Sequence, residues 1–118
     1  MAENKYITPS NNSYKKYVGL LTQTGITSPT IEILENTLGD VTWNYSEPGK
    51  YYAVIRDGID KNKTVVFLQQ TRSTDAIFSF GYQDLPDSVF IYTRYFDGSF
   101  KYSDSLLSST PIEIRIYN

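Results

Sequence analysis

The side chains that could do chemistry here are carboxylates, hydroxyls and aromatic rings, because the chain has neither histidine nor cysteine. Without imidazole, the usual general base at neutral pH is missing, and so is the commonest metal ligand. Serine–histidine hydrolysis has no base to run it. Without thiols, disulfides, thiolate nucleophiles and zinc–thiolate sites are excluded. Thirteen Asp and Glu side chains could in principle supply the carboxylate pair of a glycosidase, but spacing on separate strands does not identify a pair that is close in space. The stretch DGIDKNK offers oxygen ligands at Asp57, Asp60 and Asn62. A calcium loop wants such ligands on alternate positions with a glycine for the sharp turn. Here Asp57 and Asp60 are three apart and Gly58 comes too early, so the stretch reads as a plain loop. The seven glycines are scattered singly, which leaves no phosphate-cradling loop. The expectation is a protein that is not an enzyme, with no catalytic residue, metal site or cofactor.

The aromatics are the more informative set. Eleven tyrosines exceed what a core of this size needs, since each hydroxyl seeks water or a hydrogen-bond partner. Tyrosine-rich surfaces are common where proteins meet proteins or sugars. Trp43, Tyr45, Tyr51 and Tyr52 gather about the Glu47-Pro48-Gly49 corner in NTLGDVTWNYSEPGKYYAVIRDG, residues 36–58. Two readings compete. In one, the rings brace a hairpin by cross-strand packing, worth about 0.2–1 kcal/mol per pair. In the other, two or three of Trp43, Tyr45, Tyr52, Tyr82 and Tyr95 form a sugar-stacking platform. Trp43, Tyr45 and Tyr52 are the candidate interaction residues in the body of the chain. Tyr6 and Ile7 are those of its polar beginning.

The elements that must position these residues read as strands. Turn punctuation recurs every eight to twelve residues from Tyr14 onward, the rhythm of an all-β sandwich or barrel. In TIEILENT, Ile31 and Ile33 share a face, with Glu32 opposite. Val41, Trp43 and Tyr45 alternate with Thr42 and Asn44. Pro48 and Gly49 suit the two central positions of a type II turn, where glycine accepts a positive φ. After that turn Tyr51, Ala53 and Ile55 share one face and Tyr52 and Val54 the other. KTVVFLQQT, apolar on both faces, reads as a central, doubly covered strand. AIFSFGYQD sets Ala76, Phe78, Phe80 and Tyr82 against Ile77, Ser79 and Gly81. SVFIYTRYF leads to Asp97-Gly98, a two-residue hairpin signal flanked by Phe96 and Phe100. SDSLLSS could hold at most one helical turn. PIEIRIYN closes with Ile112, Ile114 and Ile116 inward and Glu113 and Arg115 outward.

About eight or nine strands and no convincing helix make an antiparallel β-sandwich the expected architecture, with immunoglobulin-like and jelly-roll topologies both open. The division is an arm at 1–13 followed by one sandwich domain at 14–118. The arm reads either as a frayed end or as a clip onto a neighbouring subunit.

Charge limits the partners. The net charge is −2 and no Lys/Arg cluster exceeds the pair Lys15-Lys16, so nucleic acid finds no electrostatic footprint. The opening MAENKYITPSNNSYKK lacks the apolar core of a secretory signal, and no run is long enough to span a membrane. The expectation is no membrane, and synthesis in the cytosol.

One resemblance is specific. YKKYVGLLTQTGITSPTIEILENTLGDVTWNYSEPGKYYAV, then KNKTVVF, then the closing PIEIRIYN, resembles a short β-sandwich domain among structural proteins of bacteriophages and prophages, especially those of Bacteroidota. It covers most of residues 14–67 and the last eight; residues 70–108 do not match it. The resemblance implies a virion structural protein assembled in the bacterial cytoplasm: a capsid decoration or auxiliary protein, or a head or tail fibre-base adaptor. Its partners would be other virion proteins in a homo-oligomeric or multi-copy assembly. The alternative on the same scaffold is a carbohydrate-binding or host-recognition module.

Overall fold

A computed structural model describes residues 13–70, 75–84 and 87–118. Within them the chain is all-β, with nine strands and no helix. The strands are β1 (Tyr14–Thr22), β2 (Thr30–Asn36), β3 (Val41–Glu47), β4 (Lys50–Ile55) and β5 (Thr64–Leu68). They continue as β6 (Ala76–Asp84), β7 (Asp87–Phe96), β8 (Phe100–Tyr102) and β9 (Thr110–Tyr117). Two antiparallel sheets pack face to face. One has four strands in the order β2-β1-β9-β5; the other has five, β3-β4-β7-β6 with β8 also on β7. β1 pairs with β9 and, nested within that pair, β4 pairs with β7. This is the nesting that rolls a long hairpin into a jelly roll. The immunoglobulin order places first and last strands in different sheets; here they are neighbours.

The core follows from period-two alternation. Tyr17 and Leu21 of β1, Tyr51, Ala53 and Ile55 of β4, Val89 and Ile91 of β7, and Ile112 and Ile114 of β9 all turn inward, joined by Trp43, Val66 and Phe78. Leu107, from the loop before β9, caps this cluster. Gly19 makes room within it: a Cβ there would sit 2.7 Å from Ile31 Cδ1.

Gly49 is the tightest point of the fold. It takes φ 73°, as the turn at Pro48-Gly49 requires. A Cβ there would lie 2.5 Å from the Thr93 carbonyl oxygen and 2.6 Å from the Ser103 nitrogen. The turn therefore presses directly against β7 and the end of β8. Thr93 N–H donates to the Gly49 carbonyl at 2.8 Å, and Ser103 N–H to the Thr93 carbonyl at 3.0 Å.

Five expectations are corrected, narrowed or fall outside the described residues. β5 is not a central strand: among the described residues it is an edge, bonded to β9 alone, with Val65 and Phe67 exposed. An apolar run cannot reveal whether its outer face is covered, and here it is bare. The β7–β8 loop has three residues, since Phe96 pairs with Phe100, and Gly98 supplies a positive φ. Ile31 packs on the core, but Ile33 is exposed on the edge strand β2. SDSLLSS holds no helical turn; Ser105 and Ser109 both take left-handed φ, which breaks one. The arm expected at 1–13 lies outside the described residues except for Ser13.

Candidate interaction surface

The candidate interaction residues part company in the structure. Tyr6 and Ile7 lie outside the described residues. Trp43 turns into the core, 8% exposed, and its indole N–H donates to the Tyr17 hydroxyl at 3.0 Å. It offers no face to a ligand, which corrects its place among the surface candidates. The cause is parity: its register partner Ala53 is small and inward-facing, leaving the space between the sheets for the indole. Tyr45 lies opposite Tyr51 with ring centroids 5.8 Å apart. Tyr52 alone of the three points away from the core.

Tyr45 and Tyr51 belong to a polar knot at one end of the sandwich. Asp104, in the loop after β8, accepts from the Tyr45 hydroxyl at 2.7 Å and from the Gly49 backbone N–H at 2.9 Å. The Tyr51 hydroxyl lies 2.7 Å from Asp104 Oδ1 and 2.8 Å from Gln23 Oε1, so its one proton has two acceptors in reach. Gln23 is buried, and its amide is fixed from the other side. Its Nε2 donates to the carbonyls of Gly25 and Thr27, and its Oε1 accepts from Ser105 N–H. Burial, then the Asp104 carboxylate, raise the Tyr51 phenol well above its ordinary value. The Tyr45 phenol is raised by the same two causes in the same order. A carboxylate committed to two phenols and a backbone amide is a clamp between loops. Nothing in this arrangement activates a nucleophile.

The outer face of the five-stranded sheet is different in kind. Tyr52 on β4 and Phe90 on β7 are register partners, stacked at 5.0 Å with ring planes 18° apart. Phe90 and Tyr92, two apart on one strand, stack in turn at 5.9 Å and 22°. Tyr92 meets Tyr102 of β8 at 6.3 Å. Gly81, opposite Phe90 on β6, leaves room for this row; even a Cβ there would touch the Tyr92 ring at 3.4 Å. Two cations close on Tyr102: Lys50 Nζ is 4.4 Å and Arg94 Cζ 4.8 Å from its ring centroid. Arg94 Nη2 also donates to the Tyr102 hydroxyl at 3.1 Å. Lys50 pairs with Glu47, which raises its ammonium pKa and keeps it charged. Beyond Tyr102, Phe96 and Phe100 pair at 5.2 Å. Ile77, Phe96, Phe100 and Tyr102 are each 40–44% exposed.

The resulting patch is aromatic, cation-flanked and built on strands rather than on loops. Rings stacked on one another cover part of each other's faces, and Tyr102 has cations against its own, so the row is a poor platform for a sugar ring. Most of these residues were missed in the sequence. Tyr52 was assigned its face correctly, but joining it to Phe90, Tyr92 and Tyr102 requires knowing that β4 and β8 both lie against β7.

The opposite outer face carries a smaller cluster. Arg115 on β9 lies 5.0 Å from the ring centroids of both Tyr14 and Phe67, and its Nε donates to Glu113. Among the described residues no group of three or more acidic side chains could hold a metal ion. No helix there is long and apolar enough to cross a membrane. No protein-family model, curated protein or solved structure matches the chain.

Proposed function

We propose that the chain is a non-enzymatic assembly protein that binds other proteins through the outer face of its five-stranded sheet. One observation carries this reading. Ile77, Phe96, Phe100 and Tyr102 form a half-exposed apolar patch flanked by Lys50 and Arg94, none of them part of the core cluster. Tyrosine and arginine are the residue types that most often anchor protein interfaces, and apolar surface rimmed by charge marks such sites. The particular role we propose, a bacteriophage virion component such as a capsid decoration protein or a fibre-base adaptor, rests on the sequence resemblance described above. A rigid, cysteine-free sandwich acting through its surfaces suits that role.

The test is site-specific photo-crosslinking in the cell that naturally makes the protein. A photoreactive phenylalanine replaces Phe100 or Tyr102 in turn, with Glu32 on the far sheet as control. Both patch positions are expected to capture the same protein, a particle component on the virion reading, while position 32 captures none. Crosslinks to a glycan, or no crosslink that distinguishes the patch from the control, would overturn the proposal.

A further inference from the structure

A sandwich that assembles must manage its open edges, and among the described residues five strands have one bonded neighbour: β2, β3, β5, β6 and β8, which is three residues long and carries Lys101. Exposed strand edges are templates for pairing unless charge, bulges or a covering group blunt them. β2 carries Glu32 and Glu35 and pairs with β1 across a bulge at Val18 and Gly19. β3 carries Glu47 and a bulge between Tyr45 and Glu47. β6 is capped by a side chain: the Gln70 amide both donates to the Phe78 carbonyl at 2.8 Å and accepts from the Phe78 N–H at 2.9 Å. It bonds that edge as a neighbouring strand would.

β5 has less protection. Its sequence, TVVFL, contains no charge, no proline and no glycine. Tyr117 N–H donates to the Lys63 carbonyl and Gln69 N–H to the Pro111 carbonyl. By antiparallel parity, residues 63, 65, 67 and 69 therefore aim their backbone groups at β9, and residues 64, 66 and 68 aim theirs at the free edge. The Thr64 carbonyl is taken by the Tyr82 hydroxyl at 3.0 Å. Val66 and Leu68 have no such cap among the described residues. On the outer face, Val65 and Phe67 are 38% and 50% exposed, with Arg115 holding the Phe67 ring from the β9 side.

We propose that this edge is the pairing seat for a second copy of the chain, joined antiparallel about a twofold axis through Val66. The register is self-complementary. On that axis Val66 exchanges both backbone hydrogen bonds with its symmetry mate. Val65 then stands opposite the partner's Phe67 in a non-hydrogen-bonded pair, the closer of the two pair types, so two Val–Phe contacts form on one face. No charged residue of β5 faces its like across the axis. An isologous contact of this kind closes as a dimer and fuses two four-stranded sheets into one of eight. The inference deepens the assembly reading by naming one partner. It uses the opposite sheet from the aromatic patch, so the two can fail separately.

Sedimentation over a wide concentration range tests it, read together with hydrogen exchange at the Val66 and Leu68 amides. The unaltered chain is expected to pass from monomer to dimer, with both amides protected only in the dimer. Val65→Lys, on the exposed face, is expected to weaken the dimer at least ~10-fold, because edge lysines block strand addition. Ile33→Lys, at a still more exposed position on β2, is expected to leave it unchanged. Three results overturn the proposal: a monomer at every concentration, a dimer indifferent to Val65→Lys, or amide protection that does not depend on concentration. The last would mean that the chain's own residues 1–12 or another intramolecular segment cover the edge. Loss of the dimer with intact crosslinking through Phe100 and Tyr102 would remove this inference and leave the proposed function standing.

Discussion

The Tyr51 hydroxyl and the Asp104 carboxylate meet at 2.7 Å, one from a fully buried ring at the start of β4 and the other from a loop fifty-three residues further along the chain. Through Asp104 that loop also holds Tyr45 and the backbone of Gly49. Replacing Asp104 by Ala removes a charged acceptor from two phenols and an amide at once. A hydrogen bond to a charged group contributes about 1.5–3 kcal/mol, so Asp104→Ala is expected to lose at least ~2 kcal/mol in urea unfolding. Tyr51→Phe should lose ~1–2 kcal/mol. Because they share a bond, the double variant should lose less than the two losses added. Strict additivity would show that the knot is not a coupled unit.

Two glycines with positive φ separate backbone strain from collision. Gly98 takes φ 80° with nothing within 4 Å of a built Cβ, so Gly98→Ala carries only the left-handed penalty of about 1–2 kcal/mol. Gly49→Ala carries that penalty and also drives a Cβ into the backbone of Thr93 and Ser103. Thermal melts should place Gly49→Ala well below Gly98→Ala, by more than ~2 kcal/mol in stability. Equal melting temperatures would mean that the corner relaxes freely.

Alkali should unfold the protein. Burial is the first cause raising the phenols of Tyr17, Tyr45, Tyr51 and Tyr82 above the ordinary value of 10.0. Below that value the phenols are neutral in both folded and unfolded chains, and their contribution to stability is complete. Above it the unfolded chain ionises while the folded chain keeps its protons, so stability falls as pH rises toward the folded-state values. Phenolate absorbance from Tyr17, Tyr45, Tyr51 and Tyr82 should therefore appear together with loss of the β circular dichroism. A single smooth titration with structure intact would contradict the burial of these rings.

Trp43 is the chain's one tryptophan and serves as its own reporter. Packed in the core with its N–H on Tyr17, it is expected to emit at short wavelength, resist acrylamide quenching and ignore added sugars. Trp43→Phe keeps most of the apolar volume but orphans the Tyr17 hydroxyl, for a loss of about 1–3 kcal/mol. Emission like that of free tryptophan would refute the inward placement.

Truncating the patch should spare the fold and remove binding. Phe100→Ser and Tyr102→Ser act at half-exposed positions on a three-residue strand, where losing a ring pair or a cation–π contact costs about 0.5–1.5 kcal/mol, well short of unfolding the domain. Their effect should appear in the crosslinking and binding assays instead. A large loss of stability would place these rings in the fold rather than in an interface.

The sequence was most legible where one face of a strand is covered and the other wet. Ile112, Ile114 and Ile116 against Glu113 and Arg115 could be assigned without a structure; Trp43 could be set apart from Thr42 and Asn44, but the pattern did not say that its side faces inward. It was least legible at β5, where Val65, Val66, Phe67 and Leu68 are apolar throughout. Alternation carries no signal in such a run, and a bare edge reads the same as a buried centre. The aromatic patch was hidden for another reason. Tyr52, Phe90 and Tyr102 become neighbours only through pairings between β4, β7 and β8, and strand order is not written in local pattern.

The pairing of β1 with β9 also decides how the molecule bears load. Asn118 N–H donates to the Ser13 carbonyl at 3.1 Å, and Tyr14 stands opposite Tyr117 at the same margin of the sheet. A pull applied at Ser13 and Asn118 therefore opens these bonds one after another, like a zipper, rather than shearing the whole ladder at once. Tension between those two points meets little resistance, whereas a pull along the strands from opposite ends of the sheet would have to shear the whole ladder at once.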